Sequence, residues 1–374
     1  MKKAMSILIS GIMMASAMPL TTYGAEEQQA VLSEKIHSYN GKYGDNITWT
    51  LDADGTLTLS GEGEIPDRNG RTPWFDQSFN INNVIVEDGI TSIGKSAFIE
   101  LNFVTSVSLP EGLKSIGDDA FCQCINLQTI NIPDSVESIG ENAFVGCHFT
   151  ELELPDNISY IGTRAFFSSS IKKLKLPDKL TVIDVGTFST CSLDEVTISD
   201  NVKYINDLAF NANNIKSVII PESVEKVHYR AFSYCDDLAE VIFKNPDTRI
   251  VDDDNKECNN LYYKFGAKGD EDYKGIFKGY KGSNAEKYAE TAQIEFVALL
   301  SEKSGDSNGD GQVSMADAVL IMQYISNPDK YGENGTDKNH ITEQGKKNSD
   351  IAGENDGVTN ADALAIQKKL LKLD

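Results

Sequence analysis

Seven phenylalanines stand at nearly constant intervals through the middle of the chain: Phe98, Phe121, Phe144, Phe166, Phe188, Phe210 and Phe232, spaced by 23, 23, 22, 22, 22 and 22 residues. Five residues before each is an aliphatic: Ile93, Ile116, Ile139, Ile161, Ile183, Ile205 and Val227. Between them lie alternating runs such as "LQTINIP", "FTELELP", "IKKLKLP" and "IKSVIIP", and several close on proline, at Pro110, Pro133, Pro155, Pro177 and Pro221. A fixed period in the twenties marks a stack of like units, none of which can bury its apolar face alone. Each alternating run predicts one short strand per coil, with residues such as Ile130 and Ile132 turned into the core. Proline ends the strand where its missing N–H does least harm. The phenylalanines are expected to stack along the axis.

The Ile-Gly-x-x-Ala-Phe elements at 93–98, 116–121, 139–144 and 161–166, with looser copies later, resemble the leucine-rich repeat family in the subclass of BspA-like bacterial surface proteins. "NITWTLDADGTLTLSGEGEI" with "TPWF" is similar to that family's N-terminal cap. "GIFKGYKGSNAEKYAETAQIEFVAL" is similar to its closing cap, in which Ser283 or Asn284 starts a short helix and "IEFVAL" is the last strand. The resemblance spans about residues 40–299 and implies a β-rich leucine-rich-repeat solenoid. The outward strand positions are its candidate ligand face, above all Glu151, Glu153, Lys173, Lys175, Glu195, Ile219 and Ile242. Solvation accounts for the charged rungs of this ladder and less well for the two isoleucines.

The C-terminal part is of another kind. "DSNGDGQVSMAD", residues 306–317, offers oxygen at alternate positions: Asp306, Asn308, Asp310, the Gln312 carbonyl, Ser314 and, twelfth, Asp317. Hard cations such as Ca²⁺ take six to eight oxygens on a loop of this spacing, and Gly311 occupies the sixth place, where the chain turns sharply. Val313 is expected to pack against a partner loop, and "AVLIMQYI" reads as an amphipathic helix. The partner is "DIAGENDGVTNAD", residues 350–362, followed by "ALAIQKKLLKL". Aligned from its end, Asp362 matches Asp317, Thr359 matches Ser314, Gly357 gives the carbonyl and Asn355 (or Asp356) the fifth ligand. Gly353 then takes the third place and Asp350 stands one residue further upstream, in a loop of thirteen residues.

Two loop–helix (EF-hand-like) units ending in aspartate resemble a dockerin, and the joining segment resembles dockerins of ruminococcal cellulosomes. The resemblance implies a small all-α module with two Ca²⁺ sites that docks on the cohesin of a scaffoldin. It assigns cohesin contact to the pairs before each final aspartate, Met315–Ala316 and Asn360–Ala361. The pairs differ, which argues against a symmetric, two-way docking mode.

The formal charge of −23 over 374 residues excludes nucleic acid as a partner, since phosphates need Lys and Arg. Lys2 and Lys3 before "AMSILISGIMMASAMPL" read as a secretory signal, with cleavage after Ala17, Gly24 or Ala25; the run is too short to span a bilayer. Cys124, Cys147, Cys191 and Cys235 each follow a repeat phenylalanine by three residues and are expected to be buried free thiols. A Cys124–Cys147 disulfide is the alternative. His37, His148, His228 and His340 read as surface or loop residues, and no catalytic motif accompanies them.

The expected organisation is a signal at 1–25, a capped repeat domain at 26–299 and a dockerin at 300–374. The expected function is that of a non-catalytic secreted cellulosome subunit whose repeats hold a protein or glycan. A carbohydrate-active enzyme or accessory factor is the alternative, by association alone.

Overall fold

The computed structural model describes residues 39–251, 273–299, 305–310, 312–352 and 357–372. The expected signal at 1–25 lies outside these residues, as do His37, Cys258, Gly311 and Asn355.

One face of the solenoid opens with an antiparallel meander, β1 (Tyr39–Tyr43), β2 (Ile47–Leu51) and β3 (Thr56–Gly61). A second ladder begins at β4 (Gly63–Ile65). The first face continues in parallel rungs, β5 (Asn83–Val86), β7 (Ser106–Ser108) and β9 (Thr129–Asn131). Further along come β12 (Lys173–Lys175) with β14 (Glu195–Thr197), then β16 (Ser217–Ile220), β18 (Glu240–Phe243), β20 (Ile276–Tyr280) and β21 (Glu295–Leu299). These are the strands that the alternating runs predict. The second ladder is an addition to them: after β4 come β6 (Ile90–Ile93), β8 (Ser115–Ile116), β10 (Ser138–Ile139) and β11 (Tyr160–Ile161). It resumes as β13 (Val182–Ile183), β15 (Tyr204–Ile205), β17 (Lys226–His228) and β19 (Arg249–Val251). The aliphatic five residues before each phenylalanine belongs to this ladder, which is why it recurs so strictly.

Between the two ladders runs the aromatic column. Trp74 stacks on Phe98 at 5.7 Å, and the seven phenylalanines follow at 5.1–5.8 Å with nearly parallel rings. All are fully buried, and offset stacking adds to the large apolar area each removes from water. The chain turns at six of the seven phenylalanines through a residue with positive φ two positions earlier: Ser96, Asp119, Asn142, Arg164, Gly186 and Leu208. Five of these six are not glycine, so each coil stores about 1 kcal/mol or more of backbone strain. The inter-coil hydrogen bonds hold that strain in place. The N–H of Phe98 donates to Ala120 O, that of Phe121 to Ala143 O and that of Phe144 to Ala165 O, at 2.7–2.9 Å.

The position three residues after the phenylalanine does more than fill space. Cys124 Sγ donates to Phe98 O, Cys147 to Phe121 O, Cys191 to Phe166 O and Cys235 to Phe210 O, at 2.9–3.4 Å. In the remaining coils Ser169 Oγ donates to Phe144 O and Asn213 Nδ2 to Phe188 O. The column therefore ties each coil to the carbonyl of the one before it, and the described cysteines are free thiols. Burial pushes Cys124, Cys191 and Cys235 up to about 12 from an ordinary 9. The folded thiols cannot ionise where unfolded ones do, so stability holds below pH 9 and falls progressively as pH rises from 9 toward 12. Urea midpoints measured across this range are expected to drop steeply. A serine in place of Cys191 should flatten that drop.

The closing cap is as expected: α1 (Asn284–Ala292) starts at Ser283, whose side chain accepts from Glu286 N, and packs against β19, β20 and β21. The histidine reading is corrected at one position. His228 is buried, not on the surface, and its Nδ1 sits 3.1 Å from Asp207, which Arg230 also grips through two nitrogens. A register position facing the adjacent coil's carboxylate gives this histidine a partner inside.

The C-terminal module contains α2 (Met315–Ser326), a single turn α3 (Pro328–Tyr331), α4 (Glu343–Ser349) and α5 (Asn360–Leu371). Its core is Ala318, Ile321, Ala363 and Ile366, with Val313, Ile351 and Val358 packed against it. The valine at the eighth place of each loop thus does what its position predicts.

Candidate functional site

The two loop–helix units are built on one plan. Ser314 caps α2 and Thr359 caps α5, each with a reciprocal bond from the aspartate three residues on. That aspartate is fully buried in both units. Asp317 accepts from the N–H groups of Ser307, Asn308 and Ser314 and from Ser314 Oγ, at 2.8–3.2 Å. Asp362 accepts from Ile351, Ala352 and Thr359 N–H and from Thr359 Oγ1, at 2.6–2.9 Å. Such carboxylates staple the start of the loop to the start of the helix.

This correspondence corrects the register of the second loop. Ile351 and Ala352 stand where Ser307 and Asn308 stand, so Ala352, not Gly353, is the third residue and Asp350 is the first. The first loop has a carboxamide at this place and the second a methyl.

Within the first loop, Asp306 Oδ1 accepts from Gly309 and Asp310 N–H, Asn308 Oδ1 from Asp310 N–H and Asp310 Oδ1 from Gln312 N–H. These turns fold the oxygens of 306, 308 and 310 over the loop. The described residues do not bring three carboxylates round one point, and Asp317 is occupied with backbone amides. The donor set nonetheless suits a hard cation, since it is all oxygen, and Asp350 Oδ1 is buried with no hydrogen bond among the described residues. A buried carboxylate oxygen left so is costly unless a cation meets it. Gly357, whose carbonyl is the expected ligand, is described and has positive φ.

The joining segment holds residues that sequence reasoning passed over. Asn348 O accepts from Gly305 N–H, Asn348 Nδ2 donates to Asp306 O, and the Ser349 and Ser307 hydroxyls meet at 2.7 Å. A Cβ at Gly345 would collide with Ser307 O. α4 therefore braces the first loop from outside, and the only sequence signal was the Thr342 cap with a glycine three residues on. Met315, Ala316, Asn360 and Ala361 are all exposed at the first turns of α2 and α5.

The strand face departs from expectation in two places: β14 does not pair with β16, and one rung is lost altogether. Residues 151–154 alternate exposed and buried but pair with neither β9 nor β12. The reason is local. This is the first 22-residue coil after two of 23, and the missing residue falls between Cys147 and Phe149. Phe149, buried against Phe144 and Phe166, fills a place that Leu or Ile takes in the other coils and wedges the segment out of line.

A groove of about 880 Å³ opens beside the break, lined by Glu151, Glu153, Lys173, Lys175, Glu195 and Thr197. Another of about 630 Å³ lies on the other side, toward Ser108, Thr129 and Asn131. The acid–base ladder is only partly realised. Lys173 pairs with Glu195 at 3.0 Å, whereas Lys175 turns to Asp156 and Asp178, and neither Glu151 nor Glu153 has a cation partner among the described residues. The hydrogen bond to Asp156 raises Lys175 above the usual lysine range. Ile219 is exposed and Ile242 half-buried.

Comparison with known proteins supports both halves. The model of the BspA type leucine rich repeat region matches in six copies over residues 71–148 and 137–262, and that of the dockerin type I domain over residues 304–371. A xylanase/beta-glucanase of Ruminococcus flavefaciens is 50% identical over 70 residues, which are 19% of this chain and 9% of that protein. The chain thus spans under a tenth of that relative's length.

Among solved structures, a leucine-rich repeat protein from Eubacterium ventriosum covers 70% of this chain and 85% of its own at 20% identity and a TM-score of 0.45. A complex of the third ScaB cohesin of R. flavefaciens with a group 1 dockerin matches 19% of this chain and 89% of its own at 58% identity and a TM-score of 0.18. Both matched families are non-catalytic module types. Among the described residues no helix is long and apolar enough to cross a membrane. With its repeat coils matched over half its length, the chain belongs to the BspA-type leucine-rich repeat family and carries a type I dockerin domain behind the repeats.

Proposed function

We propose that this protein is an exported, non-catalytic cellulosome subunit: a dockerin at 300–374 fixes it to a scaffoldin cohesin, and a repeat domain at 26–299 holds a protein or glycan. The observation that carries the reading is the duplicated loop–helix unit, with Asp317 and Asp362 in equivalent buried positions. The signal-like residues 1–25 support export, and the similarity to a dockerin solved with its cohesin supports the partner.

Asp306, Asn308, Asp310, the Gln312 carbonyl, Ser314 and Asp317 would hold Ca²⁺ in the first loop. Asp350, Asn355, the Gly357 carbonyl, Thr359 and Asp362 would do so in the second. Bound Ca²⁺ supplies positive charge that lets these carboxylates converge without repelling one another. The chain's own contribution is to pre-fold the loops through the staples of Asp317 and Asp362 and through α4. Met315, Ala316, Asn360 and Ala361 are the residues placed to meet the cohesin.

Calorimetric titration of the full chain against a cohesin panel tests this. Tight binding with Ca²⁺ and none with chelator is expected. No binding to any cohesin in Ca²⁺ would remove the docking function.

A further inference from the structure

Ile219, Ile242, Lys278 and Val297 stand opposite one another in β16, β18, β20 and β21 and point out of the sheet. Ile219 and Val297 are 53% and 39% exposed, and half-buried Ile276 widens the stripe. The one charge on it, Lys278, is tied to Glu240 at 2.7 Å. At its margins Lys216 and Lys244 are matched in number by Glu222 and Glu295. In a chain of charge −23 this is a neutral, aliphatic island. Its one ring, half-buried Tyr280, stands at the edge of the same face, and it has few groups for hydroxyls. Contiguous exposed apolar surface of this kind marks a protein contact.

One helix of the chain has matching chemistry. α2 exposes Met315, Val319 and Met322 at i, i+4 and i+7, with Ile325 beyond, and its only charged residue, Asp317, is buried. α5 also exposes leucines, at 364, 370 and 371, but intersperses them with Lys368, Lys369 and Lys372. Strands of a ladder lie about 4.8 Å apart and helical turns about 5.4 Å, so a helix along the solenoid axis sets roughly one apolar side chain against each rung. From Leu299 to Gly305, where the folded module begins, the chain reaches up to about 20 Å, against about 14 Å across the four strands. So short a tether gives the helix an effective concentration on the order of millimolar, which a separate partner seldom attains.

We infer that α2 folds back onto the stripe of Ile219, Ile242 and Val297. This closed state is in equilibrium with the open arrangement of the structure, in which both stripes are exposed. A neutral helix suits this surface because charged segments would lose hydration there without gaining a partner. The contact itself does not depend on the docking reading. Taken with that reading, capture of α2 by a cohesin would uncover the strand face, coupling assembly to ligand access.

Met315 and Met322 are the only methionines beyond residue 18, so peroxide oxidation followed by mass spectrometry reports the covering of α2 directly. The experiment uses the full chain with Ca²⁺ and needs no cohesin, so its outcome is separate from that of the docking titration. Ile219→Glu and Ile242→Glu are expected to speed sulfoxide formation at both methionines about threefold, as release of a closed population near two-thirds requires. Thr129→Glu, on the same face but in β9, several coils from the stripe, leaves the rate unchanged. Equal rates in the wild type and both isoleucine variants overturn the contact. A wild-type rate that rises on dilution assigns the cover to a second copy and overturns the intramolecular form.

Discussion

Truncating Phe166 to alanine lowers the stability of the repeat domain by about 4 kcal/mol, the range for removing a fully buried phenylalanine that leaves a cavity. The ring is fully buried and stacks on Phe144 at 5.2 Å and Phe188 at 5.5 Å, with Phe149 edge-on at 6.5 Å. The cavity cannot readily collapse, because β11 pairs with β10 of the coil before, β12 with β14 of the coil after, and Ser169 and Cys191 bond to the phenylalanine carbonyls. In a solenoid each coil touches only its neighbours, so the loss falls on two interfaces at once. Urea unfolding is the measurement: the midpoint should fall and the transition broaden as the array begins to melt in two parts. Phe166→Leu should cost about 1 kcal/mol, since it nearly conserves volume. A change below about 1 kcal/mol for alanine, the usual cost of a substitution without a special mechanism, would mean that the column is not what joins the coils.

Replacing Asp317 with alanine is expected to leave the C-terminal module unfolded with or without Ca²⁺. Three backbone N–H groups and the Ser314 hydroxyl lose their acceptor in a fully buried place. Each such orphan costs about 1–3 kcal/mol, more than a core of four central residues can offset. The final ligand proposed for the first loop is lost as well. Far-UV circular dichroism of the variant, titrated with Ca²⁺, reads this directly, and cohesin binding should vanish with the helical signal. Asp350→Asn tests the other loop more gently. It keeps the shape but weakens an oxygen that has no hydrogen bond among the described residues, so it should lower Ca²⁺ affinity while the helices persist. Wild-type Ca²⁺ affinity in Asp317→Ala would show that this carboxylate is a staple only.

How much of this was legible beforehand follows from the range of the forces involved. The phenylalanine period, the alternating runs and the oxygen spacing of 306–317 are carried by residues that repeat at fixed chain intervals, so they can be read without coordinates. The turns could not be read that way. Arg164 and Leu208 hold left-handed backbone that their side chains do not favour, and only the hydrogen bonds of adjacent coils keep them there. The cysteine column was visible as a position but not as a set of donors, because the acceptor lies some 25 residues away. His228 looked like a loop residue for the same reason: its carboxylate is one coil off.

The amino-acid order alone determined that the chain is a stack of like coils followed by a duplicated loop–helix unit, since periodic burial and metal-type spacing are local properties. Tertiary structure alone decided three things. It placed a break in the strand face at 151–154, where one missing residue and the bulk of Phe149 act together across neighbouring coils. It set Ile351 and Ala352 where Ser307 and Asn308 stand in the first loop, because Asp362 seizes their two amides. It left Ile219, Ile242 and Val297 as one neutral stripe, residues far apart in the chain that become neighbours only when parallel strands set them in register.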